Sequence, residues 1–197
     1  MKAQTFDDYE WLIEYSTGKE HTLNRDFNSM LRRARGELVV FAEDWEAFKP
    51  DGLSKFWQAY LDHPKCFFTA PVPKSPGYFE LQGELYFDAN LEPEWRSNCP
   101  GFCHWRNWEI DWGAAPLQAL KDLGGFDEYM DQKFGNDNTS VSYRAMREGW
   151  SFWNVIDNPA VALMHDRLWK HPFRDRYDAE WSENRLRDFD RGLKLVL

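Results

Sequence analysis

Cysteine is scarce in this chain, three residues in 197. An odd number cannot all pair internally, and this usage indicates a reducing interior. With no leader-like apolar N-terminus, this usage is expected of a soluble protein kept in the reducing cytoplasm. Long hydrophobic runs are missing too, and no stretch reads as a membrane-spanning helix. Positive charge is in deficit: 24 Lys and Arg stand against 33 Asp and Glu, a net charge of −9 with a pI near 5.1. Affinity resting mainly on a phosphate backbone is thereby disfavoured, and the Arg-rich C-terminal stretch does not reverse this because acids are interleaved through it. A local basic groove on an acidic protein keeps a nucleic-acid-modifying activity open as a minor alternative. No repeat, low-complexity tract or Gly/Pro-rich linker divides the chain. A single domain over 1–197 is expected, with 167–197 as a helical extension.

What is abundant is aromatic. Phe, Trp and Tyr make up 17% of residues, 11 of them Trp, within a hydrophobic fraction of 43%. That composition belongs to a packed globular protein. Trp joins an apolar face to a polar edge, which suits sugar rings and nucleobases, although most Trp side chains serve as core. Cys99-Pro100-Gly101-Phe102-Cys103-His104 lacks a second ligand pair at zinc spacing and reads as a loop with free thiols.

Periodicity alternates between helix and strand. Phe27, Met30, Leu31 and Ala34 lie at i, i+3, i+4 and i+7, one buried stripe of a helix with Arg32, Arg33 and Arg35 facing out. Leu38-Val39-Val40-Phe41-Ala42 follows as a central strand. Leu53, Phe56, Trp57, Tyr60 and Leu61 form the apolar face of a second helix, and Cys66 to Ala70 returns as a buried strand. Pro71 to Gly77 reads as a loop, and alternation from Phe79 to Phe87 as a half-buried strand or hairpin. The Trp-rich segment from Trp95 to Trp112 has no clean period. A short helix with Pro116 in its first turn runs to Leu123, and Gly124-Gly125 stops it where positive φ is needed. The polar knot Asn136-Asp137-Asn138 opens another helix, ended by Gly149. Two strands follow, Ser151 to Ile156 and Ala160 to Met164, the latter delivering His165. Residues 179–197 form an amphipathic mixed-charge helix with Trp181, Leu186, Phe189 and Leu193 on its docking side. Helices alternating with apolar strands give an α/β fold, a mixed Rossmann-like sheet with helices on both faces.

The order helix, Gly124-Gly125-Phe126-Asp127-Glu128, Gly135-Asn136-Asp137, helix, Gly-aromatic, strand, strand ending in His165 resembles the C-terminal half of family 2 nucleotide-sugar glycosyltransferases of the GT-A fold. Gln4-Thr5-Phe6 and Glu10-Trp11-Leu12-Ile13 resemble that family's approach to its second strand. Asn28 with Ala34-Arg35-Gly36-Glu37 resembles its Asn…Ala-x-Gly-Glu segment. On this registration the family's first strand and helix have no counterpart before Met1. An unpaired sheet border is therefore expected, open to a second copy or a partner chain.

The resemblance implies a nucleotide-diphosphate sugar donor, an acceptor it does not specify, and Asp137 as the general base that takes the acceptor proton. It also implies Mn²⁺ or Mg²⁺ where the family has Asp-x-Asp, here Glu43-Asp44-Trp45-Glu46, with Glu43 and Asp44 as ligands and His165 completing the shell. Trp45 stands where the second Asp would be, and Glu14-Tyr15-Ser16-Thr17-Gly18 where the family has Asp-Asp-Gly-Ser. Tyr15 and Arg25 are the candidate nucleotide contacts. Trp45, Glu46, Trp105, Trp108, Trp112, Asn136 and Asn138 are the candidate substrate contacts. Two alternatives stay open: Asp137 as a helix cap only, and the chain as a GT-A-like module without catalysis that binds a glycan or partner protein.

Overall fold

The computed structural model describes residues 4–15, 22–43, 46–75, 78–81, 84–87, 94–132 and 137–163. The expected tail helix, the 167–197 extension and the site candidates Asp44, Trp45, Asn136 and His165 lie outside them.

Helix α1 spans Leu23–Arg33, with Arg32 and Arg33 in its last turn, where cations complement the dipole. Leu31 is buried on its inner face, but so are two polar residues of the same stripe, Asn24 and Asn28. Strand β1 is Leu38–Ala42 and β2 is Glu46–Phe48. Helix α2, Gly52–Asp62, buries Phe56 and Ala59 and leaves Leu61 exposed, so Ala59 takes the inner place expected of Leu61. Strand β3 is Cys66–Thr69. The segment read as a loop contains a short strand β4, Lys74–Ser75, because β10 offers it a parallel partner. Strands β5 (Tyr78–Leu81) and β6 (Glu84–Phe87) form the expected antiparallel hairpin. A 3₁₀ turn at Trp95–Asn98 leads to β7, Gly101–Phe102. The remaining elements are β8 (Trp112–Pro116), α3 (Leu117–Asp122), α4 (Asp137–Arg147), β9 (Ser151–Asn154) and β10 (Ala160–Leu163).

The main sheet has the order β1-β8-β3-β9-β7. β8 is antiparallel to both β1 and β3, β9 is parallel to β3, and β7 is antiparallel to β9. Period-2 alternation sorts the strand side chains onto two faces. Phe41, Phe67, Ala115 and Phe152 join Leu31, Leu120, Phe126 and Val141 on one face. Cys66, Phe68, Trp112 and Ala114 join Phe56, Ala59 and Ala160 on the other. Helices α1, α3 and α4 thus cover one face, and α2 with the small sheet β2-β10-β4 covers the other.

β1 is not central among the described residues. It is apolar throughout, as suits a strand covered on both faces, yet among the described residues it has a partner on one edge only, and Leu38, Val39 and Val40 are incompletely buried. Residues 10–15, expected to enter a strand, form an extended segment with no strand pairing. It is held by ion pairs, Glu10 to Arg35 (3.1 Å) and Glu14 to Arg33, while Tyr9, Trp11, Ile13 and Tyr15 point outward. No helix among the described residues is long and apolar enough to cross a membrane.

Candidate active site

The carboxyl ends of β1 and β3, the start of β8 and the N-terminal turn of α4 meet at one end of the sheet, where open α/β sheets bind ligands. The loop after α3 is held from α1. Asn28 accepts from the Phe126 N–H (2.8 Å) and donates to the Phe126 carbonyl (2.9 Å) and to Glu128 (3.0 Å), clamping the Gly-Gly-Phe-Asp-Glu loop. Gly124 and Gly125 adopt φ of 80° and 70°, as their place after α3 requires. Arg144 of α4 donates to the carbonyls of Leu123 and Gly125 from the other side. Burial pulls its pKa down to about 10, against the pull of Asp127.

Asp137, the first residue of α4, is only 8% exposed, and its Oδ1 accepts from the Asn24 amide. Asn24 also donates through its backbone and side chain to Asp131, at 2.7 and 3.0 Å. Asp131 in turn accepts from the Arg25 N–H (3.0 Å) and so caps the first turn of α1. One buried asparagine therefore joins the start of α1 to the start of α4. Asn138 donates to Glu109 and to the Trp108 carbonyl, both at 2.7 Å.

The opposite wall is acidic. Arg96, 3% exposed, pairs with Asp111 through two nitrogens (2.8 and 2.7 Å) and with Glu94 (2.7 Å), and it reaches the Thr69 hydroxyl (3.2 Å). Burial alone would pull its proton off, but Asp111 and Glu94 hold it on. Glu46 is 9% exposed; its Oε2 accepts from the Glu43 N–H (3.3 Å), while its Oε1 has no hydrogen-bond partner. Burial, reinforced by Asp111 and Glu43, pushes its carboxyl up to about 9. Burial, with Asp111 adding to it, raises Glu109 to about 7. The three cysteines are free, and burial pushes the Cys103 thiol up to about 12. A hollow of about 530 Å³ lined by Arg35, Tyr60 and Lys121 lies near the N-terminal end of β1, away from the carboxylates.

Two expected substrate contacts are corrected. Trp108 and Trp112 are fully buried, donating through Nε1 to the Ala114 carbonyl (3.4 Å) and the Asn158 carbonyl (2.8 Å). Phe48 stacks on Trp112 at 4.6 Å, so its indole is core. Trp105 is half-buried against Tyr143, with Arg106 over its ring. Of the nucleotide candidates, Tyr15 is 84% exposed, and Arg25 is exposed at the start of α1. Glu43 is half-buried just beyond β1 and offers the oxygen ligand a hard divalent cation prefers. Among the described residues no three His, Cys, Asp or Glu side chains group closely enough to hold a metal ion. A metal at Glu43 would therefore depend on Asp44 and His165. Arg96, Asp111, Glu94, Glu109 and Asn24 were not picked out from the sequence; the one visible signal was acids alternating with large apolar residues at Trp108-Glu109-Ile110-Asp111-Trp112.

This arrangement, a mixed five-stranded sheet with helices on both faces, is a GT-A-like α/β fold. No protein-family model matches the chain, and no curated protein matches it in sequence. Among solved structures it is similar to S. aureus TarS 1–349 in complex with UDP-GlcNAc, at TM-score 0.55 and 12% identity over 79% of this chain and 43% of that one. A second crystal structure of S. aureus TarS 1–349 matches at TM-score 0.52 and 14% identity, over 71% and 39%. GalNAc-T7 with UDP, GalNAc and Mn²⁺ matches at TM-score 0.50 and 9% identity, over 74% and 31%. The chain thus spans less than half the length of each of these structures.

Proposed function

We propose that this chain carries a glycosyltransferase site that moves a sugar from a nucleotide-diphosphate sugar to an acceptor hydroxyl. The observation that carries the reading is Asp137: a buried carboxylate at the head of α4, fixed by Asn24, at the ligand-binding end of a GT-A sheet. In the proposed reaction Asp137 takes the acceptor hydroxyl proton as that oxygen bonds to the anomeric carbon. The bond from that carbon to the diphosphate breaks, and its electron pair leaves with the phosphate, inverting the centre. Asp137 stands at the head of α4, where the helix dipole favours negative charge, and a hydrogen bond from Asn24 orients it. Glu43, Asp44 and His165 would hold a divalent cation, which would offset charge on the leaving diphosphate. Trp45, Glu46, Trp105, Asn136 and Asn138 remain proposed substrate contacts, and Tyr15 and Arg25 proposed nucleotide contacts.

A second reading, a non-catalytic GT-A-like module that binds a glycan or a partner chain, is favoured by the edge of β1, unpaired among the described residues, and by the outward row Tyr9, Trp11, Ile13 and Tyr15. Thermal shift with UDP, GDP, CDP and dTDP, each with and without Mn²⁺, separates the two. Metal-dependent stabilisation by one nucleotide is the expected result, since a ligand selective for the native state raises apparent stability. Asp137→Asn should then lower kcat by about 100-fold or more with the unfolding midpoint little changed. Stabilisation by none of the nucleotides, in folded protein, would leave the binding-module reading.

A further inference from the structure

The turn between α1 and β1 holds a carboxylate from elsewhere in the chain. The Arg35 and Gly36 N–H groups both donate to Glu10 Oε1, at 2.6 and 3.3 Å. The Arg35 guanidinium meets Glu10 Oε2 through Nε and a terminal nitrogen, each at 3.1 Å. Two successive backbone N–H groups beside a guanidinium fork make a receptor for a carboxylate. The clasp keeps the Glu10 carboxyl below its ordinary value, the Arg35 N–H contributing most. Its occupant is held loosely all the same. Glu10 belongs to an extended segment with no strand pairing, the Arg35 side chain is 83% exposed, and ion pairs open to water contribute little.

Arg35 and Gly36 also line the hollow of about 530 Å³ at the N-terminal end of β1. That volume lies within the roughly 300–1,000 Å³ of small-molecule clefts. Leu117 and the half-buried Tyr60 give the hollow apolar surface, and Lys121 gives it charge. Lys121 Nζ donates to the Ala34 carbonyl (3.3 Å) and has no acid in ion-pair range among the described residues. An ammonium carries three donors, so two remain for a ligand. Glu37, exposed on the same rim, sets the opposite limit by repelling a compact anion of more than one charge.

We propose that the α1–β1 turn and this hollow bind a small monocarboxylate with an apolar body, and that Glu10 fills the anion position while the ligand is absent. The ligand's carboxylate replaces that of Glu10 on the Arg35 and Gly36 N–H groups. Its body lies against Tyr60 and Leu117, and Lys121 adds a second positive charge. This site is at the other end of β1 from the carboxylates of the candidate active site and is independent of the transferase reading.

The test follows the Arg35 and Gly36 amides by ¹H–¹⁵N NMR of the full chain during titration with benzoate, acetate, benzamide and inorganic phosphate. Benzoate should shift both amides saturably. Glu10→Ala, which vacates the anion position, and Glu10→Gln, which keeps its shape without the charge, should each bind benzoate about tenfold more tightly than wild type, because the tethered competitor is removed. In Glu10→Ala, benzamide should bind about tenfold or more weakly than benzoate, as loss of charge-assisted bonds implies. Acetate, phosphate, and benzoate in Glu10→Ala with Lys121→Gln should each bind several-fold more weakly. Folding of each variant is verified by its unfolding midpoint. No saturable shift by benzoate in either Glu10 variant, equal binding of benzamide, or equal affinity in wild type and both Glu10 variants would each overturn the proposal. Tighter binding of phosphate would overturn the carboxylate assignment, and equal binding of acetate the place given to the apolar body. Unchanged affinity in Lys121→Gln would remove Lys121 from the site.

Discussion

At the scale of single residues, the candidate site is governed by how much charge is removed from water. Arg96 is buried with two acidic partners, and such a pair is worth less for its own attraction than for what its loss exposes. Arg96→Met would leave Asp111 and Glu94 without their counter-charge, and a loss of about 3 kcal/mol or more is expected in urea unfolding at pH 7. Glu109 carries the opposite kind of signal. Its folded pKa, about 7, lies above the ordinary value of 4.5, so the folded state binds its proton more tightly than the unfolded chain does. The stability it contributes is fully present below about 4.5 and is lost as pH rises through about 7. Glu109→Gln cannot ionise, so relative to the variant the wild type should lose stability across that window, read as the urea midpoint at successive pH values. An equal pH slope in both proteins would show that Glu109 does not titrate there.

At the scale of elements, two glycines show two different reasons for being glycine. Gly113 lies in β8 between β1 and β3, and a Cβ there would sit 2.1 Å from the Glu109 carbonyl oxygen and 3.1 Å from that of Phe68. Both obstacles are backbone, so neither can swing away. Gly149 ends α4 at φ +77° with nothing within 4 Å of a would-be Cβ. Gly113→Ala should cost about 3 kcal/mol through overpacking, and Gly149→Ala about 1 kcal/mol through φ alone. Paired thermal melts give the comparison, and similar losses would contradict the close approach at Gly113. The same tight turn brings Glu109 back over the start of β8 and so sets the acidic wall beside α4.

At the scale of the whole molecule, the feature to explain is an apolar strand that stands at a border among the described residues. β1 carries no Lys, Pro or other guard on its sequence, and natural edges usually have one. Its amides alternate between bonding β8 and facing outward. In dilute protein, hydrogen exchange should therefore be slow at the inward amides of Leu38–Ala42 and fast at the outward ones. If a second copy completes the sheet, as expected for such an edge, the outward amides gain protection as concentration rises, together with a shift in elution volume. Fast exchange at every concentration would exclude self-pairing.

Much of the architecture was written locally. The stripes of α1 and α2, the apolar runs of β1 and β3, the 78–87 hairpin and the glycines after α3 and α4 follow from side-chain period and φ requirements, and these are properties of neighbouring residues; the GT-A order of elements was read from a resemblance. The sequence also brought forward Asp137 and Asn138, because a polar knot before a helix is a local signal. Tertiary structure decided what depends on residues far apart in the chain. Trp108 and Trp112 read as site aromatics and proved to be core, since burial depends on what β8, Phe48 and Asn158 bring against them. Glu46 read as one of several acids at a strand end, and only packing left one of its oxygens buried and unpartnered. Arg96 meets Asp111 from 15 residues away and Thr69 from 27, and Asn24 meets Asp137 from 113. No period or motif announces such partners, because electrostatic and hydrogen-bond energies depend on distance in space, and only the folded chain fixes that distance.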